Sequence, residues 1–259
     1  MLNQQPPFNI QDSFFSALNC VQIKMYNANS SKAYRQIIVG TQRYVVVDTG
    51  ESVCVQITNN TNGMLAFPVF VEGANIYWGK ANTPQACQEA DMWEVTPHGS
   101  INITGFYNPD TRKLRPFIVT KSSNGVANSM FGANVAEEVA GRYSIWMKDP
   151  VPGQHLYSYG ADSLQKGINT GSASRDVTRG GNAAAIGLGA AQAHGHRDTN
   201  VVYQKNATKL VDIRAITLTQ LSELLGIRLG RGFNRFVDLD NRQGDWGQIP
   251  TSGNQPFRG

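Results

Sequence analysis

The sequence has few of the residues on which disulfide-stabilised or strongly charged proteins depend. It contains three cysteines, Cys20, Cys54 and Cys87, an odd number with no C-x-x-C spacing, which argues against a disulfide framework. Charged residues make up only 16% of the chain, and no block of five or more like charges occurs. The net charge of +4 is therefore diffuse, which is typical of an ordinary surface and predicts no specific nucleic-acid partner.

Sequence features of secretion and membrane insertion are also missing. Residues 1–15 lack the basic start and the apolar run of a secretory signal. No apolar run approaches the ~20 residues that span a bilayer. We therefore expect a protein that is made in a cytoplasm and has no membrane partner.

The histidines offer one metal-like cluster. His194 and His196 lie two residues apart beside Asp198, so on an extended chain both rings would point the same way. Zinc normally takes three or four ligands, and the other histidines, His98 and His155, are distant in sequence. We expect a polar loop here and no metal or other cofactor.

Nucleophile and phosphate-binding motifs are absent or incomplete. No G-x-S-x-G sequence occurs, and Cys87 has no nearby histidine. Gly187-Leu188-Gly189 lacks the Gly-Lys-Ser/Thr that completes a phosphate loop. The adjacent carboxylates Glu137-Glu138 would point to opposite faces of a strand, and Asp238 and Asp240 lie in a polar tail. The sequence therefore predicts no catalytic residues.

Aromatic residues and glycosylation-type sequences are present without a clear context. Tyr77, Trp78, Trp93 and Trp146 could stack on sugars or bases if exposed, although such residues more often lie in a core or an interface. Four N-x-S/T sequences occur, and without a secretory signal they are expected from composition alone in an Asn-rich chain. They begin at Asn29, Asn59, Asn102 and Asn206.

What the sequence does contain is typical of strands and turns. Hydrophobic residues make up 41% of its 259 residues, and uncharged polar residues and 26 glycines occupy much of the rest. Residues 20–26 and 52–58 alternate apolar and polar side chains, and residues 35–47 are typical of a hairpin through Gly40. Short alternating runs separated by turns predict an all-β fold, a β-sandwich of jelly-roll type.

The stretch 66–80 is predicted to lie at the centre of this fold. Two apolar strand segments meet at Glu72-Gly73, where glycine permits a bend. Asp91 to Thr96, Ser100 to Phe106, Pro116 to Thr120 and Gly141 to Lys148 predict further strands, with Pro116 at a strand start or an edge. Residues 107–115 predict a loop.

The remaining segments predict the domain organisation. Residues 124–140 predict one helical turn. Residues 219–226 predict one short C-terminal helix that Thr219 caps and Gly226 ends. The domain is expected over 20–227 with a Gly/Ala-rich insertion at 152–200, between an N-terminal arm (1–19) and a polar tail (228–259) with isolated aromatics.

Several of these residues, taken in order, carry a resemblance to a known family. They are Gly50-Glu51, Val71-Glu72-Gly73-Ala74-Asn75-Ile76 with Gly79-Lys80, Pro97-His98-Gly99, Gly105-Phe106, Gly187-Leu188-Gly189, and Leu221 to Gly226-Ile227. Over roughly residues 43–227 the chain resembles a family of uncharacterised β-rich proteins, found mostly in bacteria, with a V-D-G-L-N-V core motif. Glu72 stands where an Asp is usual and Ala74 where a Leu is usual. The resemblance implies a single β-sandwich domain and no mechanism.

Three hypotheses about function follow. The favoured one is a non-enzymatic structural component of a virus or phage particle, a capsid, vertex or capsid-associated subunit that forms homo-oligomers and contacts other virion proteins through its arms. The alternative is a module that binds glycans or a cell surface through Trp78, Trp93 and Trp146. The third is an enzyme that uses His194 and His196. The low charge, the polar termini and the lack of a catalytic cluster favour the first, with a virion location.

Overall fold

The computed structural model describes residues 8–11, 20–77, 92–108, 110–151, 183–193, 202–230 and 232–237. These residues form an all-β fold with a few short helices, consistent with the β-sandwich expected from the sequence. The strands are β1 (Phe8–Gln11), β2 (Val21–Asn27), β3 (Gln36–Val39), β4 (Gln42–Val46), β5 (Val53–Asn59), β6 (Leu65–Phe67), β7 (Val69–Val71), β8 (Ala74–Asn75), β9 (Trp93–Val95), β10 (Ser100–Ile103), β11 (Gly105–Asn108), β12 (Lys113–Lys121), β13 (Arg142–Met147), β14 (Ala184–Leu188), β15 (Gln192–Ala193) and β16 (Thr208–Ile216).

The largest sheet has seven strands in the order β1-β3-β4-β16-β13-β7-β8. Its pairs are antiparallel except β4 with β16, which are parallel. The other sheets are β10-β5-β2, β11-β12-β14 with β15 also paired to β12, and the pair β6-β9. Side chains from all of these sheets meet in one large apolar cluster, which is the core of the molecule.

The alternation of apolar and polar residues in the sequence correctly predicted strands around this core. In β2, Val21, Ile23 and Met25 are buried, and the intervening Gln22 and Lys24 are half-buried. A strand with one face on the core and one towards water requires this period of two. The hairpin of β3 and β4 turns at Gly40, whose φ of +60° suits glycine.

The central stretch forms the predicted bend. β7 and β8 pair antiparallel across Glu72 and Gly73, which have φ of +52° and +78°. Positive φ is uncommon for a residue other than glycine. Glu72 therefore occupies an unfavourable backbone conformation, and its side chain provides the compensation described below.

The helices differ from the sequence prediction in two places. Residues 124–140 hold two helices instead of one turn: α1 (Val126–Phe131) and α2 (Ala133–Val139), joined at Gly132 and preceded by a 3-10 turn over Ser122–Asn124. The C-terminal helix α3 (Leu218–Leu225) ends at Gly226 as predicted, but its cap is Thr217, not Thr219. Thr217 forms a capping box with Gln220, which satisfies the first free N–H groups of the helix.

Strand β12 begins at Lys113, within the predicted loop, and Pro116 lies inside this strand instead of at its start or on an edge. β12 pairs with β11 on one side and with β14 and β15 on the other. The Gly189 N–H donates to the Pro116 carbonyl at 2.9 Å, so the proline nitrogen faces the gap between β14 and β15. A proline is tolerated here because no partner strand requires an N–H in that gap.

Candidate functional site

The strand run 33–39 receives both terminal segments of the described chain. β1 pairs antiparallel with β3, with Ile10 opposite Ile37. Near the other end of the chain, the Arg35 N–H donates to the Arg235 carbonyl and the Val237 N–H donates to the Ala33 carbonyl, both at 2.8 Å. Main-chain pairing of this kind is how an extended peptide adds to a sheet. We call residues 33–39 the arm-docking strand.

Aromatic contacts hold the C-terminal segment in place. The ring of Phe236 stacks on the ring of Tyr34, with centroids 5.2 Å apart and planes at 25°. The guanidinium of Arg235 lies 4.6 Å from the Phe236 ring centroid, and the ammonium of Lys32 lies 5.9 Å from it. Cations at these distances are attracted to the ring face. Phe236 is thus enclosed by one aromatic and two cationic side chains.

An ion-pair network joins the same segment to the turn before β5. Arg235 Nη1 lies 2.6 Å from Glu51 Oε2, and Arg235 Nη2 lies 3.0 Å from Asp48 Oδ2. The Glu51 carboxylate also accepts from Tyr34 Oη at 3.0 Å, Asn27 Nδ2 at 2.8 Å and the Asp48 N–H at 2.8 Å. Because the side chain of Glu51 is only 14% exposed, this pair is partly shielded from water.

Two members of the network, Arg235 and Tyr34, have shifted pKa values. Burial lowers the pKa of Arg235, but the hydrogen bond and the charge of Glu51 outweigh burial and leave it raised. Burial and the Glu51 carboxylate both raise the pKa of Tyr34 well above its ordinary value of 10.0. The phenol therefore stays neutral and keeps donating to Glu51.

Both terminal segments also reach an apolar cluster on the outer face of the seven-stranded sheet. Helix α3 covers this face with Leu221 and Leu225, which pack on buried residues of β3, β4 and β16. Ile10 of β1 and Phe233 of the C-terminal segment pack against the same cluster. The two ends of the chain therefore share one anchoring region.

A fully buried carboxylate lies at the β7–β8 bend. Glu72 is 0% exposed. Its carboxylate accepts from the main-chain N–H groups of Ile186 at 2.6 Å, Gly141 at 2.8 Å and Ala127 at 3.2 Å. Its own N–H donates to the Arg142 carbonyl at 2.7 Å. Glu72 thus ties the bend to β14, to α1 and to the start of β13.

The electrostatics of Glu72 differ from those of Glu51. Burial raises the pKa of Glu72 above its ordinary value of 4.5, and the hydrogen bonds from Gly141, Ile186, Ala127 and Val126 oppose that rise. None of the ion pairs formed within the described ranges includes Glu72. Gly125 leaves room for the carboxylate, because a Cβ there would lie 2.9 Å from Glu72 Oε2.

The whole metal-like cluster lies outside the described residues, and the one histidine that the structure describes is in a turn. His155, His194, His196 and Asp198 belong to the parts that the structure does not describe, as do Cys87, Asp238 and Asp240. His98 is exposed, and its Nε2 lies 2.8 Å from Asn62 Oδ1. Within the described ranges, no group of three or more His, Cys, Asp or Glu is arranged to hold a metal ion.

The candidate stacking residues that the structure describes lie in two separate places. Tyr77 is 3% exposed, so it cannot serve as an exposed stacking platform. It packs against Trp93 and Tyr107 in the core, with centroids 5.6 and 5.8 Å away. Trp146 is half-buried beside Phe70 in a separate cluster, and the Lys209 ammonium lies 5.5 Å from its ring. Trp78 lies outside the described residues.

The other residues singled out in the sequence have structural surroundings. Gly187 lies in β14, where a Cβ would come within 3.0 Å of Thr120. Glu137 and Glu138 are exposed on α2, a helix and not a strand. Asn59 is fully buried, and its amide donates to three carbonyls.

The exposure of the other N-x-S/T sequences differs from that of Asn59. Asn29, Asn102 and Asn206 are exposed. Asn102 Oδ1 accepts a hydrogen bond from Gln56. Burial therefore distinguishes Asn59 from the other three.

Sequence reasoning found the positions of both carboxylates but not their partners. Gly50-Glu51 and Glu72-Gly73 stood out as turn motifs, whereas Arg235 was placed in a polar tail that was expected to be flexible or to dock on a partner. The Arg-Phe pair at 235–236 was the available signal, because an isolated aromatic beside an arginine in a polar tail is typical of a docking segment.

Comparison of the chain with known proteins found no match. No family model matches the chain, and neither a curated protein nor a solved structure matches it. No helix in the described ranges has both the length and the apolar character to cross a membrane.

Proposed function

We propose that this chain is a non-enzymatic structural subunit of a virus or phage particle, in a capsid, vertex or capsid-associated position. The observation that carries the proposal is the arm-docking strand, which binds segments from both ends of the chain. In this proposal the subunit assembles with copies of itself and with other virion proteins through its sheet faces and these arms.

The way the arms are held suits assembly. Each arm adds to a strand through main-chain hydrogen bonds, and a few side chains select it: Ile10 on one side, Arg235 and Phe236 on the other. A segment held in this way can dock equally well on an identical neighbour, since the receiving strand and turn are the same. Exchange of arms then links subunits without any new surface.

The test is the assembly state of the full-length protein, measured by light scattering together with limited proteolysis. We expect a discrete oligomer in which both terminal segments resist proteolysis. Arg235→Glu should weaken the oligomer and expose the C-terminal segment, because it places a carboxylate against Asp48 and Glu51. Arg228→Glu is the matched control in the same tail and should leave both readouts unchanged.

Two results would remove the support for this function. One is a wild-type protein that stays monomeric at every concentration reached. The other is an oligomer whose size and proteolytic pattern are the same in Arg235→Glu and in wild type. In either case the arms would be internal elements of one subunit.

One observation favours glycan binding as a second candidate. Trp146 lies half-buried beside Phe70, with Lys209 against its ring. Arg142 of the same strand forms an ion pair with Asp212 of the neighbouring strand β16. A partly exposed indole next to polar groups is a common platform for sugar rings. Glycan-array binding that disappears in Trp146→Ala and persists in Trp93→Phe would support this function over the structural one.

A further inference from the structure

The corner formed by α1 and α2 exposes an apolar surface. Among the described residues, five large apolar side chains are exposed, and three of them fall within residues 130–135. These are Met130 at 36%, Phe131 at 37% and Val135 at 41% exposure. Scattered single apolar residues are normal on a surface, whereas three within six residues concentrate apolar surface in one short segment. We call residues 126–139 the helical corner.

The helical corner is fixed to the core by the Glu72 carboxylate. That carboxylate accepts from the Ala127 N–H in the first turn of α1. At the other end of α1, Cε2 of Phe131 lies 3.6 Å from where a Cβ on Gly73 would be. The exposed side chains are therefore presented by a held backbone, and a partner would not have to order it.

The charge on the helical corner is negative. Residues 122–140 contain no Lys or Arg, and Glu137 and Glu138 are both exposed. Arg214 lies beside them, but its Nη2 donates to their main-chain carbonyls at 3.2 Å. No ion pair among the described residues includes either carboxylate. The apolar group is thus bordered by two acidic side chains that are available to a cationic partner.

A positive surface lies at the far end of the strand that leads to this corner. Arg112, Lys113 and Arg115 are all exposed at the turn between β11 and β12, and Asp110 is the single acidic residue there. The turn is shaped by Arg112, with φ of +52°, and by Asn108 Oδ1, which accepts from the Thr111 N–H at 3.0 Å. We call residues 110–115 the basic hairpin.

The two surfaces cannot neutralise each other within one chain. β12 runs from Lys113 to Lys121 and continues through the 3-10 turn into α1. Nine strand residues span about 27 Å. That distance is more than twice the ~10 Å Debye length at moderate ionic strength. The opposite charges at the two ends of β12 are therefore placed to attract different molecules.

We propose that the helical corner of one copy docks on the basic hairpin of a second copy, head to tail. The proposal rests on the structural function above and specifies a contact for it. Arginine and lysine stems can cover Met130 and Val135 while their charges meet Glu137 and Glu138. An arginine can also lie over the Phe131 ring. A contact between two different surfaces repeats from copy to copy and gives a ring when the rotation closes.

The test reverses each charge set in the full-length protein and measures self-association by sedimentation velocity. One variant carries Glu137→Lys and Glu138→Lys; the other carries Arg112→Glu and Lys113→Glu. All four residues are exposed, so both variants should fold. Each variant alone should self-associate about tenfold more weakly than wild type, because like charges then face each other. An equimolar mixture of the two should recover the association, since every contact between unlike copies is again complementary.

Matched controls and an apolar variant separate this contact from general charge effects. Glu223→Lys and Lys205→Glu reverse exposed charges elsewhere and should change association little. Phe131→Gln keeps every charge and should still weaken association. Failure of the mixture to recover, or an effect of the controls equal to that of the corner variants, overturns the proposed contact.

The outcomes also separate this contact from the proposed function. If Arg235→Glu weakens assembly and the charge reversals do not, the function stands and the contact is wrong. If the reversals weaken assembly and Arg235→Glu does not, the contact stands and the arms have no role in assembly. A wild-type protein that is monomeric throughout overturns both.

Discussion

Two glutamates of this molecule, the buried Glu72 and the half-buried Glu51, are held in opposite ways. Glu72 accepts hydrogen bonds from three main-chain N–H groups, one in α1, one in β14 and one directly before β13. Glu51 accepts from side chains of Tyr34, Asn27 and Arg235, and from the main chain only once, at Asp48. The carboxylate of Glu72 binds main-chain groups that can move away only if the sheets unfold. The carboxylate of Glu51 binds Arg235, which lies in the C-terminal segment.

This difference assigns different roles to the two sites. Main-chain donors in strands and helix starts are fixed in position, so Glu72 acts as a permanent tie between β7, β14, β13 and α1. An arginine on a terminal segment can dissociate, and its ion pair weakens with salt. The Glu51 site therefore suits a reversible contact, and the Glu72 site suits the framework that presents such contacts.

The largest expected effect is the loss of stability in Glu72→Ala. The substitution leaves three buried N–H groups without an acceptor, at roughly 1–3 kcal/mol each. Removal of a buried charge offsets part of this cost. We therefore expect the free energy of unfolding to fall by about 3–5 kcal/mol, measured by urea denaturation.

The control for that measurement is Glu138→Ala, on the exposed face of α2. Surface substitutions usually change stability by less than about 0.5 kcal/mol. If Glu72→Ala lost no more than Glu138→Ala, the three N–H groups would have found other acceptors. Glu72 would then not be the framework element that the comparison requires.

A smaller effect is expected for Arg235→Gln. Hydrogen bonds to charged groups contribute about 1.5–3 kcal/mol, and the partial exposure of this pair places the loss near the lower end, at about 1–2 kcal/mol. The loss should shrink as salt rises from about 0.05 to about 0.5 M, because salt screens the wild-type pair. Arg228→Gln is the matched control. A loss that is independent of salt would show that Arg235 acts through packing on Phe236 alone.

Local patterns predicted most of the fold because they depend on neighbouring residues. The alternation in β2 and β5, the turn at Gly40 and the helix end at Gly226 all follow from one or two positions and their immediate context. Residues 124–140 were harder, because α1 and α2 are short and their first turn depends on a carboxylate from a distant bend. Pro116 was placed at a strand start or an edge because the gap between β14 and β15 is a tertiary feature.

The candidate site was less predictable for the same reason. The partners of Glu72 lie 55, 69 and 114 residues away in the chain, and Arg235 lies 184 residues from Glu51. The periodicity of apolar residues in the sequence does not indicate which residues so far apart in the chain will be in contact. The sequence did predict a bend at Glu72-Gly73 between two apolar segments, and a tail with isolated aromatics. It could not indicate which strand would receive them.

The smallest expected effect is a difference in pH dependence, and it tests the comparison most directly. Burial raises the pKa of Glu72, so the folded protein binds its proton more tightly than the unfolded chain does. The contribution of Glu72 to folding stability is therefore complete below the pKa of the unfolded chain, near 4.5. It is lost as the pH rises through the raised pKa of Glu72 in the folded protein. Tyr143, whose burial and proximity to Glu72 raise its own pKa, stays neutral in this range.

Asp212 provides the opposite sign, because it is held by charged side chains as Glu51 is. Burial raises its pKa, but the hydrogen bonds from Lys209, Ser144 and Arg142 outweigh burial and leave it lowered. The contribution of Asp212 to folding stability is therefore present above the pKa of the unfolded chain, near 3.8. It is lost as the pH falls through the lowered pKa of Asp212 in the folded protein. Relative to wild type, Glu72→Gln should gain stability as the pH rises, and Asp212→Asn should lose it. Denaturation curves between about pH 3 and pH 7 measure both slopes. Slopes of the same sign would show that the pKa values of the two carboxyl groups shift in the same direction, which contradicts the comparison.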